Sequence, residues 1–213
     1  KIDEAYIDSL LEKEIKKNHK KIVVLDDDPT GVQTVHDISV YTGWDKDSIR
    51  QGFEEENSLF YVLTNSRGFT EEQTIKAHHE ISAVTDEAAK VTGKEYIYIS
   101  RSDSTLRGHY PLETELLKAD YEKYTGKTVD GEILCPFFKE GGRFTINNVH
   151  YVKYGDTLVP ANETEFAKDK TFGYTAADLP SYVEEKTKGA YKKEDVTCIS
   201  LEDIHDMAVD RIE

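Results

Sequence analysis

Near the start of the chain, the stretch Lys21 to Gly31 (KIVVLDDDPTG) constrains the fold more than any other. Ile22, Val23, Val24 and Leu25 form an unbroken β-favouring run, the pattern of a strand buried on both faces of a parallel sheet. Asp26, Asp27 and Asp28 end that run, because adjacent carboxylates cannot share its burial, and Pro29 and Gly31 turn the chain. The acids therefore stand at the carboxyl end of a strand, the edge of an open α/β sheet where ligands bind.

The same rhythm of strand, polar loop and helix recurs downstream. Residues 3 to 19 space Ile7, Leu10, Leu11 and Ile15 as an amphipathic helix with lysines at its end, expected to act as a packing element. After the first strand, His36 to Thr42 reads as extended and Asp45 to Glu56 as a short helix capped by Asp45 or Asp47. Ser58 to Leu63 is a second buried strand ending in Thr64, Asn65, Ser66, Arg67 and Gly68, and Thr70 with Gln73 opens a long helix to about Val91 through a capping box. Tyr96 to Ser100 is a third strand, running into RSDSTLRGHY, and a helix follows from Pro111 to Tyr121. Ile133 and Leu134 open a fourth strand, and Asn147-Asn148 is the turn of a hairpin between Phe144–Ile146 and Val149–Val152, since asparagine tolerates left-handed geometry. Residues 154 to 173 read as irregular, Leu179 to Lys188 as a short helix, and Val196 to Ser200 as a last strand before a terminal helix from about Glu202. The expected fold class is α/β: an open, mainly parallel sheet with helices on both faces, in three Rossmann-like layers, with a β-hairpin insertion.

Four strand ends then carry polar groups: Asp26, Asp27 and Asp28; Asn65 and Arg67; Arg101, Asp103, Ser104, Thr105 and Arg107; Lys139 and Arg143. Carboxylates orient hydroxyls, take a proton from an attacking hydroxyl or hold Mg²⁺, and arginines grip a carboxylate or phosphate by paired bonds. A site with both signs suits a polyhydroxylated acid. With 42 acidic against 27 basic residues and a formal charge of −15, the chain is a poor match for nucleic acid or an anionic membrane, so its partner is expected to be small. Cys135 and Cys198 stand far apart with no zinc or disulfide spacing, no apolar run reaches membrane-spanning length, and the N-terminus is charged, all of which fit the cytoplasm. His78 and His79 are adjacent on a helix and face apart, which is poor geometry for joint metal ligation and leaves both expected at the surface. Thr125-Gly126-Lys127-Thr128 imitates the end of a Walker motif, but Tyr121 stands where its first glycine should be, so no phosphate cradle is expected.

Several uncommon strings occur together and in order: DDDPTG (26–31), TNSRG (64–68), SRSDSTLRGHYPLE (100–113), PFFKEGGRFTINNVHYV (136–152), ETEFAKD (163–169) and TFGYTAADL (171–179). With them the chain closely resembles the N-terminal domain of the four-carbon acid sugar kinases. That resemblance implies ATP-dependent phosphorylation, with Mg²⁺, of threonate, erythronate or oxo-tetronate type acids, the acid sugar bound by this domain and the nucleotide by a C-terminal one. By motif, Asp27 and Asp28 match the paired aspartates, Asp103, Ser104 and Arg107 the DST-x-RG string, and Arg143 the GR element. The chemistry then assigns Asp27, Asp28 and Thr30 to hydroxyls, with Asp27 or Asp28 as the general base, and assigns Arg107 and Arg143, joined by Arg67, to the substrate carboxylate.

The glycine-rich nucleotide-binding half of such kinases is not in this sequence, so residues 1 to 213 are expected to be the substrate domain alone. It would be a truncated chain or a split-gene subunit, inactive until it meets its nucleotide domain in cis or as a separate subunit, and a homodimer is also allowed. Two alternatives remain. The strand followed by Asp-x-Asp-Pro-Thr also resembles the nucleophile loop of haloacid dehalogenase type phosphatases, with Asp26 attacking phosphorus and Asp28 as acid/base. A stand-alone acid-sugar binding or regulatory module would share the same site.

Overall fold

The computed structural model describes residues 3–212. In chain order its helices and strands are α1 (Glu4–Lys17), β1 (Lys21–Asp26), β2 (Val40–Tyr41), α2 (Lys46–Glu54), β3 (Leu59–Leu63), α3 (Glu71–Thr92), β4 (Tyr96–Arg101), α4 (Leu112–Thr125), β5 (Arg143–Ile146), β6 (Val149–Tyr154), β7 (Thr157–Pro160), α5 (Leu179–Lys186), α6 (Leu201–His205) and α7 (Val209–Ile212). The chain divides into two compact units, residues 1–101 with 113–129, and residues 102–112 with 130–213.

The first unit holds a parallel sheet in the order β2-β3-β1-β4. Side chains alternate along each strand, and Val23, Leu25, Phe60, Val62 and Tyr96 bury one face of it against Ile49 and Phe53 of α2, Ile81, Ala88 and Ala89 of α3, and Leu117 of α4. On the opposite face Val24 is buried while Ile97 and Ile99 are exposed. The expected capping signals are present: Asp45 accepts from the amides of Asp47 and Ser48, and Thr70 with Gln73 forms a reciprocal capping box. Helix α1 forms where its pattern predicts but buries no residue, so it is not a packing element within the described structure.

The second unit is built on an antiparallel sheet in the order β5-β6-β7. Asn147 and Asn148, at φ 49° and 66°, make the two-residue hairpin turn that their identity predicts. Strand β7 lies in the stretch expected to be irregular. Leu106, Val152, Ala161, Ala167, Tyr174 and Tyr182 form this unit's core. Two expected strands are absent. Ile133 and Leu134 lie in irregular chain with Ile133 93% exposed, and Val196–Ser200 is likewise irregular between a 3-10 turn at Lys193–Asp195 and α6. Both are short β-branched runs without a strand to pair with, and propensity alone does not make a strand. Arg143 therefore opens a hairpin strand and does not follow a parallel one.

Candidate functional site

In the first unit the carboxyl ends of β1, β3 and β4 meet as the sequence requires. Strand β1 lies between β3 and β4, and the chain crosses from one side of it to the other between those two strands, so the ends of β1 and β4 flank the topological switch point. Asp26 and Arg101 are register partners there. Arg101 Nη1 donates to Asp26 Oδ1 at 3.1 Å and reaches Asp27 Oδ1 at 3.5 Å.

The three aspartates have separate fates. Asp26 is fully buried, its Oδ2 has no hydrogen-bond partner, and burial pushes its pKa up against the pull of Arg101. A Cβ at Gly31 would overlap that carboxylate, so the glycine is what lets the loop close over Asp26. Asp27, also buried, takes a two-pronged bond from Arg67, Nε to Oδ2 at 3.0 Å and Nη2 to Oδ1 at 2.7 Å. Asp28 is the accessible one, its side chain 27% exposed, with Arg67 Nη1 3.3 Å from Oδ2. The Thr30 hydroxyl donates to Asp28 Oδ1 at 2.5 Å and the Thr30 amide to the same oxygen at 2.9 Å. The hydroxyl bond is the main cause that holds the Asp28 pKa below the usual carboxylate range. Asp28 is thus kept ionised with an open face, whereas Asp26 is sealed from any phosphate ester it would have to attack as a nucleophile.

Beneath the loop that carries Arg67 lies a buried polar chain that the sequence reading missed. Ser66 Oγ donates to Glu113 Oε1 at 2.5 Å, and His78 Nε2 lies 3.7 Å from the same oxygen. Thr64 Oγ1 donates to the Asp26 carbonyl at 3.0 Å and contacts Ser66 Oγ at 3.0 Å. Asn65 takes the left-handed conformation at φ 55°, which turns the chain between Thr64 and Ser66. His78 is buried, contrary to its expected place at the surface, while the His79 side chain is half exposed and bonds Asp120 at 2.7 Å.

In the second unit Arg107 Nε donates to Asp103 Oδ2 at 2.6 Å and to Thr105 Oγ1 at 3.1 Å, and the Thr105 hydroxyl donates to Asp103. The loop is pinned by buried phenols, Tyr174 to the Thr105 carbonyl at 2.9 Å and Tyr182 to the Leu106 carbonyl at 3.1 Å. His150 Nε2 donates to the Ser104 carbonyl at 2.7 Å. The guanidinium carbons of Arg107 and Arg143 lie 4.9 and 5.5 Å from the centroid of one ring, Phe166. Two guanidiniums thus contact one aromatic ring. Arg143 also donates to the Gly141 carbonyl, and its Nε is buried without a hydrogen-bond partner.

The expected site residues therefore fall into two groups: Asp27, Asp28, Thr30 and Arg67 in the first unit, and Asp103, Ser104, Arg107 and Arg143 in the second. Sequence reasoning placed Arg101 among the strand-end polar groups but gave it no role, and it passed over Ser66, Glu113 and Phe166 as site residues. Arg101 did carry a signal, as the cation that ends YIYISR, but Glu113 looks like any acid on a helix surface. Gly126 ends α4 at φ 69° and Lys127 pairs with Glu95 at 2.5 Å, so the Walker-like string runs out of a helix C-terminus, whereas a P-loop leads into a helix N-terminus. Among the described residues no group of three or more His, Cys, Asp or Glu side chains is placed to hold a metal ion, and no helix is long and apolar enough to cross a membrane.

These features define an α/β chain with carboxylates and guanidiniums gathered at the carboxyl edge of a parallel sheet, the arrangement of a domain that binds polar, hydroxylated small molecules. The family model of the sugar-binding N-terminal domain matches residues 22–212. The chain belongs to that family, the N-terminal domain of the four-carbon acid sugar kinases. No match is found among curated proteins.

Proposed function

We propose that this chain is the substrate-binding domain of an ATP-dependent kinase that phosphorylates four-carbon acid sugars of the threonate, erythronate or oxo-tetronate type, working in the cytoplasm. The observation that carries the reading is the state of Asp28: ionised, partly open, and set between Arg67 and the Thr30 hydroxyl beside the switch point of a sugar-binding family fold. In this reading Asp28 and Thr30 bind substrate hydroxyls. Asp28 also accepts the proton of the hydroxyl that attacks phosphorus, a modest demand because phosphoryl transfer needs little help from a strong base. Asp27 orients Arg67, its buried carboxylate held by two guanidiniums. The Arg107 and Arg143 pair of the second unit supplies an anion-binding element.

ATP supplies the phosphoryl group when a partner domain brings it. In this reading the nucleotide and its Mg²⁺ belong to that partner domain, as the resemblance to the four-carbon acid sugar kinases implies. The chain alone therefore binds the acid sugar and transfers little phosphate, and turnover requires a C-terminal nucleotide-binding domain in cis or as a separate subunit.

Thermal unfolding with added threonate, erythronate and oxo-tetronate tests the reading. Saturation at a hundredfold over Kd stabilises the native state by about 2.7 kcal/mol, a rise of roughly 5–10 °C for a chain of this size. Absence of any rise with all of these acids overturns the proposal.

A further inference from the structure

The acid group of a sugar acid needs a cation whose donors are not already committed. In the first unit the two site arginines differ in this respect. Arg67 commits all of its side-chain nitrogens to carboxylates, Nε and Nη2 to Asp27 and Nη1 to Asp28. Arg101 commits Nη1 alone, to Asp26 and Asp27. Its Nε and Nη2 make no hydrogen bond among the described residues, and its side chain is 24% exposed.

We propose that Arg101 binds the substrate carboxylate, presenting Nε and Nη2 as a side-on fork while Nη1 stays on Asp26 and Asp27. The proposal rests on the acid-sugar reading given above and replaces Arg67 as the first unit's carboxylate ligand.

Position, reach and charge support the assignment. Arg101 ends β4 at the switch point as the register partner of Asp26, so it stands at the mouth of the crevice where α/β sheets take their ligands. An extended four-carbon chain spans only about 4 Å between its end carbons, given bonds of about 1.5 Å. The cation that holds its acid group must therefore lie in the same cluster as the carboxylate that holds its hydroxyls. Arg101 meets this condition: Asp26 Oδ1, its partner, also receives the Asp28 amide at 3.5 Å, and Asp28 feels the charge of Arg101 as well as that of Arg67. Arg67 is held by two acids, Asp27 and Asp28, through all of its side-chain nitrogens. Arg101 meets its acids through Nη1 alone, so the Nε and Nη2 edge of its guanidinium is left to face an anion, while burial raises the Asp26 pKa against the pull of Arg101.

The test is calorimetric titration of the full chain with threonate and erythronate, each paired with its neutral polyol, threitol or erythritol. Arg101→Lys keeps the charge beside Asp26 and Asp27 but loses the planar fork. The expected result is binding of the acid weakened about tenfold or more, with polyol binding unchanged, so that the preference for the acid collapses. The double variant Arg101→Met with Asp26→Asn removes both members of the pair and should lose the same preference, which covers the case of a single variant that fails to fold. Retention of the wild-type acid preference in either variant overturns the proposal and leaves the kinase-domain reading standing, as does loss of that preference only in Arg107→Ala or Arg143→Ala. A wild-type chain that binds none of the acids overturns both.

Discussion

The Arg67 guanidinium meets the Asp27 carboxylate fork to fork, at 3.0 and 2.7 Å, with the acid buried and the arginine reaching it from the loop after β3. Removing one member of such a pair leaves the other's charge stranded, which costs about 3–5 kcal/mol in buried pairs. Arg67→Ala should therefore destabilise the chain toward the lower end of that range, since Arg101 remains beside Asp27. Arg67→Met combined with Asp27→Asn should recover much of the loss. Urea unfolding at neutral pH reads both, and a single variant as stable as the wild type would show the pair to be structurally idle.

Asp28 should behave in the opposite way. Its side chain is partly in water and its partners are local, so Asp28→Asn should cost less than about 1 kcal/mol while abolishing the stabilisation given by sugar acids. Because the folded pKa is depressed, the contribution of Asp28 is present above the ordinary carboxylate range and is lost as pH falls through the folded value. The stability gap between wild type and Asp28→Asn should thus shrink only below about pH 4. Unfolding curves across the acid range would reveal a gap that closes earlier, which would refute the assignment.

Gly31→Ala probes the closure over Asp26. The added methyl group would overlap the Asp26 carboxylate, which Arg101 holds in place. Overpacking of this kind costs about 1–3 kcal/mol. Asp26→Ala in the same chain removes the obstruction, so the two substitutions should be non-additive. Simple additivity in a double-mutant cycle would count against the contact.

The buried chain under Arg67 predicts a structural effect with a functional echo. Ser66→Ala or Glu113→Ala leaves a buried polar partner without its mate, at a cost of about 1–3 kcal/mol. The Ser66–Gly68 turn that presents Arg67 should loosen with it, and the Arg67 Nε proton should exchange faster with solvent by NMR. Unchanged exchange in Ser66→Ala would show that the turn is held by its backbone alone.

What was legible in the sequence follows from what short patterns encode. An apolar run stopped by acids states both a strand and its end, so β1 and the place of Asp26–Asp28 could be read directly. Thr70 with Gln73 and Asn147 with Asn148 carry their geometry in their own side chains, and the structure repeats it. Ile133–Leu134 and Val196–Ser200 have strand propensity but no neighbour to pair with, and pairing is a long-range fact. The same holds for Glu113 and His78, which are ordinary helix residues until folding sets them over Ser66. Arg67 and Arg101 share Asp27 but differ in the second aspartate each reaches and in how many nitrogens each commits, a matter of a few ångströms that no spacing records.

His150 gives the second unit a pH dependence of its own. It is buried on β6, donates from Nε2 to the Ser104 carbonyl, and faces the Thr145 hydroxyl 3.0 Å from Nδ1. The carbonyl requires a proton on Nε2, and in the neutral ring Nδ1 accepts from the Thr145 hydroxyl. Burial is the main cause that lowers its pKa from the ordinary histidine value, and the nearby charge of Arg143 adds to the effect. The unfolded chain therefore binds this proton more readily than the folded one. Its contribution is complete above about pH 6.5 and is lost as pH falls from there through the folded value, with a slope of up to about 1.4 kcal/mol per pH unit. His150→Gln should lower stability at pH 7.5 and flatten the slope below pH 6.5, while the other histidines keep their own contributions in both chains. Urea unfolding of the two chains at a series of pH values isolates the difference. Parallel curves would show that His150 titrates alike in the folded and unfolded states, and that the tie between the hairpin and Ser104 is not sensitive to its charge.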